Sequence, residues 1–221
     1  MSELKAVIFD LDGVLVDSHF LHYKSWQRLA DELGLNFDEK MGDTYRGMER
    51  SECMRIMYED FNGKTAPPMD KINELTDKKN VYYLELLDNA TAEDLLLPGS
   101  IALLKSLREE KIGIVIASGS KNAKQVIKHA GFEYLVDTII DRFDVENTKP
   151  DPAIFLKGIN AAGVPAENAV GIEDALLGVE ALRAAGLKSI GVGHYVDTAD
   201  LHVEKIADLT IEMMRILIGN R

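Results

Sequence analysis

Cysteine is almost absent from this 221-residue sequence, in which Cys53 stands alone. A single cysteine excludes an internal disulfide, and with it the class of small secreted domains that disulfides stabilise. Aromatic residues make up only 7% of the chain, but hydrophobic residues reach 46%, which is enough for a sizeable core. No apolar run approaches the ~18 residues of a membrane-spanning helix. The composition predicts an ordinary soluble globular protein.

Positive charge is also scarce. The chain has 25 Lys and Arg residues against 37 Asp and Glu residues, a formal net charge of −12. Nucleic acid and anionic membrane surfaces are therefore poor partners for it. The first residues lack the cationic stretch and long apolar segment of a secretory signal. We expect a cytoplasmic protein, a monomer rather than an oligomer, that binds neither nucleic acid nor membrane.

Four short apolar runs each end in small or polar residues, and stretches of helical character separate the later ones. The runs cover residues 6–9, 112–117, 169–172 and 189–192, and the helical stretches cover 101–108, 152–162 and 176–185. Strands that alternate with helices of this length predict an α/β protein with a Rossmann-like parallel sheet and helices on both faces. Such sheets bind ligands at the carboxyl ends of their strands.

Residues 15–91 interrupt this alternation, because they contain no convincing strand. Trp26, Leu29, Ala30 and Leu33 follow the spacing of one helix face, and residues 71–87 are again helical in character. The pattern predicts an inserted α-helical domain over residues 15–91. Residues 1–14 and 92–221 then form the domain that contains the sheet.

Two acidic pairs follow two of the predicted strands. Asp10 and Asp12 come directly after the run 6–9, and Glu173 and Asp174 come after the run 169–172. Four carboxylates at one sheet edge repel one another, and a Mg²⁺ ion held by carboxylate and carbonyl oxygens is the simplest remedy. In the alternative interpretation, the second pair only caps the helix that begins near residue 175.

A third strand end carries hydroxyls, a glycine and a cation. The residues that follow the run 112–117 are Ser118, Gly119, Ser120, Lys121 and Asn122. Hydroxyls, backbone N–H groups and a lysine together suit a phosphate group. The alternative is that these residues serve only as helix caps.

Lys149 precedes Pro150, Asp151 and Pro152 in a loop before the helical stretch 152–162. An isolated lysine is normally a solvated surface residue. Near four carboxylates, however, a fixed cation can offset the charge of a nucleophile and of a phosphoryl group. Lys149 is therefore a candidate for the same site.

These motifs, in this order and at strand ends, resemble the haloacid dehalogenase superfamily, subclass I. The resemblance implies that Asp10 is the nucleophile and becomes an aspartyl phosphate, and that Asp12 is the general acid and base. It implies that Ser118, Gly119 and Lys149 bind the transferring phosphoryl group. It also implies a Mg²⁺ cofactor held by Asp10, Asp12, Glu173 and Asp174. The insertion 15–91 looks like the cap domain that determines substrate specificity in this subclass.

Within that superfamily, the inserted segment resembles the β-phosphoglucomutase group. The residues that carry this resemblance, and that it implies as substrate-binding, are His22, Arg46, Gly47, Arg50 and Lys79 in the insertion and Ser120, Lys121 and Asn122 after the third strand. It implies a small sugar phosphate as the binding partner, with β-glucose 1-phosphate and glucose 6-phosphate interconverted through a bisphosphate. In the alternative interpretation, His22 only packs or lies on the surface, and Arg46 and Arg50 pair with Glu49 or Glu52 on a solvated helix face.

Two other functions share much of this pattern. A phosphatase of small phosphorylated metabolites, such as sugar phosphates, has the same first half-reaction but admits water to the aspartyl phosphate. A phospho-accepting signalling domain also uses an aspartate, acidic metal ligands and a lysine at the edge of a parallel sheet. The helical insertion and the acid at Asp12 argue against the signalling domain.

Overall fold

The computed structural model describes residues 3–45, 48–194, 196 and 198–219. The chain divides into two compact units: a sheet unit, Met1–Asp17 with Thr91–Arg221, and a helical unit, Ser18–Ala90. The helical unit therefore begins at Ser18 rather than at residue 15, and it ends at Ala90 rather than at residue 91. Its role as a cap that determines specificity stays a prediction.

A parallel sheet forms the centre of the sheet unit. Its described strands are β1 (Ala6–Phe9), β2 (Gly113–Ala117), β3 (Thr138–Ile140), β4 (Ala169–Glu173), β5 (Lys188–Val192) and β6 (Leu201–Val203). They lie in the order β3-β2-β1-β4-β5-β6, and every neighbouring pair is parallel. The α/β class with a Rossmann-like parallel sheet is confirmed. Strand β1, which carries the first acidic motif, lies between β2 and β4.

The four apolar runs in the sequence correspond to β1, β2, β4 and β5. Every residue of β1 and of β4 is buried, as expected for central strands covered on both faces. The edge strands β3 and β6 were not predicted. Each has three residues, of which only the last is buried, so neither produces an apolar run.

Helices alone make up the regular structure described for the helical unit. They are α1 (His19–Leu33), α2 (Glu39–Asp43), α3 (Arg50–Glu59) and α4 (Met69–Asn89). Helix α1 ends where Gly34 adopts a φ of 62°, a left-handed conformation that glycine adopts without strain. Trp26, Met54 and Met57 belong to one buried cluster with apolar residues of α1 and α4. Cys53 is buried in the same cluster, and burial raises the pKa of its thiol to about 12, which makes it unreactive.

The helices of the sheet unit cover both faces of the sheet. They are α5 (Ala92–Leu95), α6 (Ser100–Glu109), α7 (Ala123–His129), α8 (Ala153–Ala162), α9 (Leu176–Ala184) and α10 (Ile211–Gly219). Ala6 and Ile8 of β1 belong to a buried cluster with residues of α8 and α9. Val7 and Phe9, which alternate with them, are equally buried against the opposite face, where α6 contacts β2 and α10 contacts β4.

The two chain segments that lead into and out of the helical unit pair with each other inside the sheet unit. Val16 and Leu96 form an antiparallel bridge. The Asp17 N–H donates to the Leu95 carbonyl at 2.7 Å, and the Leu97 N–H donates to the Leu15 carbonyl at 3.1 Å. The helical unit is therefore inserted at one point of the sheet unit. Among the described residues, no helix combines the length and the apolar character needed to cross a membrane.

Candidate functional site

The strand register brings three of the sequence motifs to one edge of the sheet. Phe9, the last residue of β1, lies opposite Ile116 of β2 and Ile172 of β4. The Asp10 N–H continues this ladder by donating to the Ile172 carbonyl at 2.9 Å. Because parallel strands end at the same edge, Asp10 lies between the residues that follow Ile116 and those that follow Ile172.

The chain turns sharply after β1 at Gly13. Its φ of 84° lies in the left-handed region, and its N–H donates to the Val16 carbonyl at 2.7 Å. This turn keeps Asp12 at the sheet edge, where the Ser118 hydroxyl donates to Asp12 Oδ2 at 3.5 Å, a long hydrogen bond. The first and second motifs are therefore in contact through Asp12 and Ser118.

Lys149 connects the first acidic motif to the last one. Its Nζ donates to Asp10 Oδ1 at 2.5 Å and also to Glu173 Oε1. The side chains of Lys149, Asp10 and Glu173 are only 11%, 9% and 1% exposed. A buried charge is tolerated only when it is paired, and here one ammonium group serves two carboxylates. The group carries one unit of negative charge when both acids are ionised.

Burial and mutual repulsion disfavour the ionised forms of the carboxyl groups in this cluster. Burial raises the pKa of Asp10 well above its ordinary value; Lys149 opposes this rise, while Glu173, Asp174 and Asp12 add to it. Burial likewise raises the pKa of Glu173, again against the effect of Lys149. The pKa of Lys149 itself is raised, because the attraction of Asp10 and Glu173 outweighs the effect of its burial. Lys149 is therefore charged, but its single positive charge balances only one of the two carboxylates that it contacts, so a further positive charge would stabilise the cluster.

The carboxylates are arranged so that a metal ion could supply that charge. Asp10, Glu173 and Asp174 each place one carboxylate oxygen within 4.8 Å of the others. The donor set consists of oxygen atoms, it is partly desolvated, and it has excess negative charge. These are the properties of a site for a hard divalent cation rather than for a soft metal. The cluster therefore fits the cofactor that the sequence motifs predict.

The segment 118–122 follows β2 beside this cluster. Ser118 is buried, its N–H donates to the Ile140 carbonyl at 3.0 Å, and its Oγ accepts from the Ser120 N–H at 3.1 Å. The Ser120 Oγ in turn accepts from the Asn122 N–H at 3.2 Å, and Asn122 is buried. Gly119 and Lys121 are exposed. The two serine hydroxyls therefore fix the shape of this turn, and Asn122 precedes α7 as its N-cap residue.

The helical unit contains a buried lysine. Lys79 is 0% exposed, its Nζ lies 2.8 Å from Nδ1 of His22, and the Trp26 and Tyr83 ring centroids are each 5.1 Å from that Nζ. Burial lowers the pKa of His22 well below its ordinary value, and Lys79, Arg50 and His19 lower it further. A lysine ammonium group can only donate, so Lys79 donates to Nδ1 of the neutral His22 imidazole, and the ring proton is then on Nε2. Aromatic faces stabilise the ammonium group that burial has removed from water.

Arg50 lies next to this pair. Its Nη1 donates to Oδ1 of Asn80 at 2.9 Å, and Asn80 directly follows Lys79 on α4. His22, Lys79 and Arg50, distant in sequence, are therefore neighbours in the helical unit. Arg46 and Gly47, which the sequence predicts to bind the same substrate, lie outside the described residues.

Residues 4–186 match the family model of haloacid dehalogenase-like hydrolases. The chain belongs to this family. Among the curated relatives of this haloacid dehalogenase-like protein, the beta-phosphoglucomutase of Bacillus subtilis (strain 168) is 35% identical over 213 residues, covering 96% of this chain and 94% of the relative. A phosphorylated carbohydrates phosphatase of Thermotoga maritima is 28% identical over 217 residues, covering 97% of each chain.

A solved structure is also similar to this chain over nearly its whole length. The crystal structure of beta-phosphoglucomutase from Clostridium difficile is similar to this haloacid dehalogenase-like protein with a TM-score of 0.89 and 35% identity, covering 98% of both chains. The relatives thus include both mutases and phosphatases that act on phosphorylated carbohydrates.

The structure brings together most of the residues that the sequence singles out in this haloacid dehalogenase-like protein. The sheet unit assembles Asp10, Asp12, Ser118, Lys149, Glu173 and Asp174, and the helical unit assembles His22, Arg50 and Lys79. The contact of Tyr83 with Lys79 was missed, although its position four residues along α4 places it on the same helix face. Trp26, which the sequence places on one helix face with Leu29 and Ala30, is buried, and its ring lies near the Lys79 ammonium.

Proposed function

We propose that this haloacid dehalogenase-like protein is a Mg²⁺-dependent phosphomutase that interconverts β-glucose 1-phosphate and glucose 6-phosphate through a sugar bisphosphate. The buried contact between Lys149, Asp10 and Glu173, with Asp174 beside it, is the observation that carries the phosphotransferase part. The mutase part rests on the cluster of His22, Lys79 and Arg50 and on the similarity to beta-phosphoglucomutases.

Asp10 is the nucleophile in this mechanism. One carboxylate oxygen attacks the phosphorus of a bound bisphosphate, the bond from phosphorus to the sugar oxygen breaks, and Asp10 carries the phosphoryl group. The positive charge of Lys149 at 2.5 Å favours the ionised carboxylate that this attack requires. The Ser118 hydroxyl and the Lys149 ammonium bind the oxygens of the transferring group.

Asp12 moves the protons. Its carboxyl group protonates the sugar oxygen that leaves, and the resulting carboxylate then accepts the proton of the other sugar hydroxyl as that oxygen attacks the aspartyl phosphate. The carboxylates of Asp10, Glu173 and Asp174, with the backbone carbonyl of Asp12, would hold Mg²⁺, whose charge neutralises the phosphoryl oxygens.

Residues of the helical unit supply substrate specificity in this proposal. A bisphosphate has a second, non-transferring phosphate that needs its own cation, and the planar donor group of Arg50 suits it. Arg46, Gly47, His22 and Lys79 are assigned to the same substrate, as are Ser120, Lys121 and Asn122 of the sheet unit. Exclusion of water during the transfer favours a sugar hydroxyl as acceptor over hydrolysis.

The test is an incubation of the pure protein with Mg²⁺, β-glucose 1-phosphate and a trace of glucose bisphosphate, followed by ³¹P NMR. We expect glucose 6-phosphate to accumulate without release of inorganic phosphate. If inorganic phosphate and glucose are the only products, the mutase assignment is wrong.

The second candidate is a phosphatase of sugar phosphates. It is supported by the similarity of the phosphorylated carbohydrates phosphatase of Thermotoga maritima to 97% of this chain. A panel of sugar phosphates scored for released phosphate separates the two functions. Broad hydrolysis without isomerisation supports the phosphatase. A phosphorylated protein that persists for hours without turnover supports instead a phospho-accepting signalling domain.

A further inference from the structure

The carboxylate of Glu173 serves two parts of the acidic cluster at once. One oxygen accepts from Lys149. The other accepts from the backbone N–H groups of Asp174 at 2.9 Å and of Ala175 at 3.0 Å. Glu173 thereby fixes the peptide that carries the Asp174 carboxylate, and it links that peptide to the ammonium group beside Asp10. The Glu173 side chain is 1% exposed, so bulk water does not compete for these hydrogen bonds.

Helix α9 approaches this carboxylate at Gly178. A methyl group placed on Gly178 would overlap the carboxylate carbon and both carboxylate oxygens of Glu173. Gly178 is the third residue of α9, and its N–H donates to the Ala175 carbonyl at 3.1 Å, which holds its backbone in the first turn of the helix. The missing side chain therefore has a local physical consequence: it leaves the volume that the Glu173 carboxylate occupies.

We infer that Gly178 is a positioning residue for the acidic cluster, since its missing side chain lets Glu173 hold both Lys149 and the backbone of Asp174. The inference rests on the proposed function, because the position of the Asp174 carboxylate matters for catalysis only if the acidic cluster is the phosphotransfer site. A methyl group at residue 178 displaces the Glu173 carboxylate, because the end of a side chain moves more easily than a helix backbone. The Asp174 and Ala175 N–H groups then lose their acceptor, and the Asp174 carboxylate loses its fixed orientation.

The experiment is a double-mutant cycle of Gly178→Ala and Glu173→Ala, read by amide hydrogen exchange at Asp174 and Ala175 and by Mg²⁺ titration calorimetry. Gly178→Ala should speed exchange at both amides by ~tenfold or more, because hydrogen bonds to a charged group are lost. It should weaken Mg²⁺ binding by ~10–100-fold, as loss of an orienting partner does. With Glu173→Ala already present, Gly178→Ala should change neither quantity further, because no carboxylate remains to be displaced.

Gly158 offers a matched control. It is also a buried helical glycine packed against the sheet, and the atoms nearest to a methyl group there would be side-chain carbons of Ile8 and Val115, at 3.0 and 3.6 Å. Gly158→Ala should leave the exchange rates of Asp174 and Ala175 and the Mg²⁺ affinity unchanged. If Gly178→Ala alone is too unstable to study, the double variant should recover the stability of Glu173→Ala.

Two results would overturn the inference. One is unchanged exchange at Asp174 and Ala175 in folded Gly178→Ala. The other is an equal effect of Gly178→Ala with and without Glu173, which would mean that the glycine serves only helix packing. Exchange rates are measured without substrate or metal, so absence of mutase activity in the wild-type protein overturns the proposed function and leaves this test intact.

Discussion

Lys149 Nζ lies 2.5 Å from Asp10 Oδ1, although the two residues are 139 positions apart in the sequence. The same ammonium group contacts Glu173, and all three side chains are largely removed from solvent. Lys149 is therefore both a candidate phosphate-binding group and the main compensation for two buried acids. These two roles have different experimental signatures.

Lys149→Met should destabilise the fold and abolish phosphoryl transfer. Removing one partner of a buried ion pair leaves the other charge uncompensated, so the free energy of unfolding near pH 8 should fall by ~3–5 kcal/mol. Without Lys149 the pKa of Asp10 in the folded protein rises further above its value in the unfolded chain. The folded protein then holds a proton on Asp10 that the unfolded chain has lost, so this contribution to stability is present at low pH and disappears as the pH rises through the folded-state pKa. The deficit should therefore shrink toward about pH 5 in urea unfolding.

Lys157→Met is the matched control for that variant. Lys157 is 47% exposed on α8, and its Nζ contacts the Asp144 carbonyl at 2.8 Å. Its loss should change the unfolding free energy by less than ~1 kcal/mol. Equal losses in the two variants would contradict the assignment of Lys149.

His22 should make the protein less stable in mild acid. Its folded-state pKa lies well below its ordinary value because of burial and the nearby Lys79. Below about pH 6.5 the unfolded chain binds a proton that the folded protein does not, so the free energy of unfolding falls by up to ~1.4 kcal/mol per pH unit. His22→Asn has no imidazole at this position and therefore lacks this contribution to the pH dependence of stability. Urea unfolding of both proteins across that range should show a difference that changes with pH, and parallel curves would contradict the burial of a neutral imidazole.

Lys79→Met should separate function from stability. The substitution removes a buried charge, which favours folding, but it also leaves Nδ1 of His22 without the Lys79 donor, which costs ~1–3 kcal/mol, so the unfolding free energy should fall less than it does in Lys149→Met. Conversion of β-glucose 1-phosphate should nevertheless fall by ~10²-fold or more if this charge belongs to the substrate site. The neighbouring Lys78 is 51% exposed and pairs with Glu32 at 2.5 Å. Lys78→Met should leave the conversion unchanged.

Mg²⁺ should raise the thermal unfolding midpoint through the acidic cluster. An ion that binds only the folded state stabilises it by ~2.7 kcal/mol when its free concentration is about 100 times its Kd. Asp174→Ala removes one of the three clustered carboxylates and should lose most of this stabilisation. Glu180→Ala, which removes an exposed acid on α9, should keep it. A midpoint that responds to Mg²⁺ equally in all three proteins would place the ion elsewhere.

Asp10→Asn should abolish turnover, because an amide cannot attack phosphorus as a carboxylate does. Intact-mass spectrometry after incubation with a sugar bisphosphate should detect one added phosphoryl group on the wild-type protein and none on the variant. Asp12→Asn retains the nucleophile, so it should still accept a phosphoryl group, although slowly. A phosphorylated Asp10→Asn protein would assign the nucleophile to another residue.

The parts of the fold that were predictable from the sequence are those with a continuous apolar signal. The run 6–9 predicts β1 residue for residue, because a central parallel strand is apolar on both faces. The same reasoning fails for β3 (Thr138–Ile140), since an edge strand needs little burial. The helical insertion was predictable because Trp26, Leu29 and Ala30 share one helix face and are all buried.

The site was predictable as a set of residues but not as a set of contacts. Motifs at strand ends place Asp10 and Glu173 at one edge, yet they do not indicate that Lys149 contacts both acids. The full burial of Lys79 could not be read from the sequence either, because lysine is rarely buried and its aromatic neighbours come from two helices. Gly178 has no functional group that a sequence pattern could single out, since its contribution is the space that it leaves for the Glu173 carboxylate.

The antiparallel pairing of Val16 with Leu96 has a consequence for how such proteins diversify. The segments that lead into and out of residues 18–90 lie side by side. The helical unit can therefore be lengthened, shortened or exchanged without altering the strand register that aligns Asp10 with the ends of β2 and β4. If residues 18–90 select the substrate, as proposed, selection can then change which metabolite is recognised while the reacting groups stay in place.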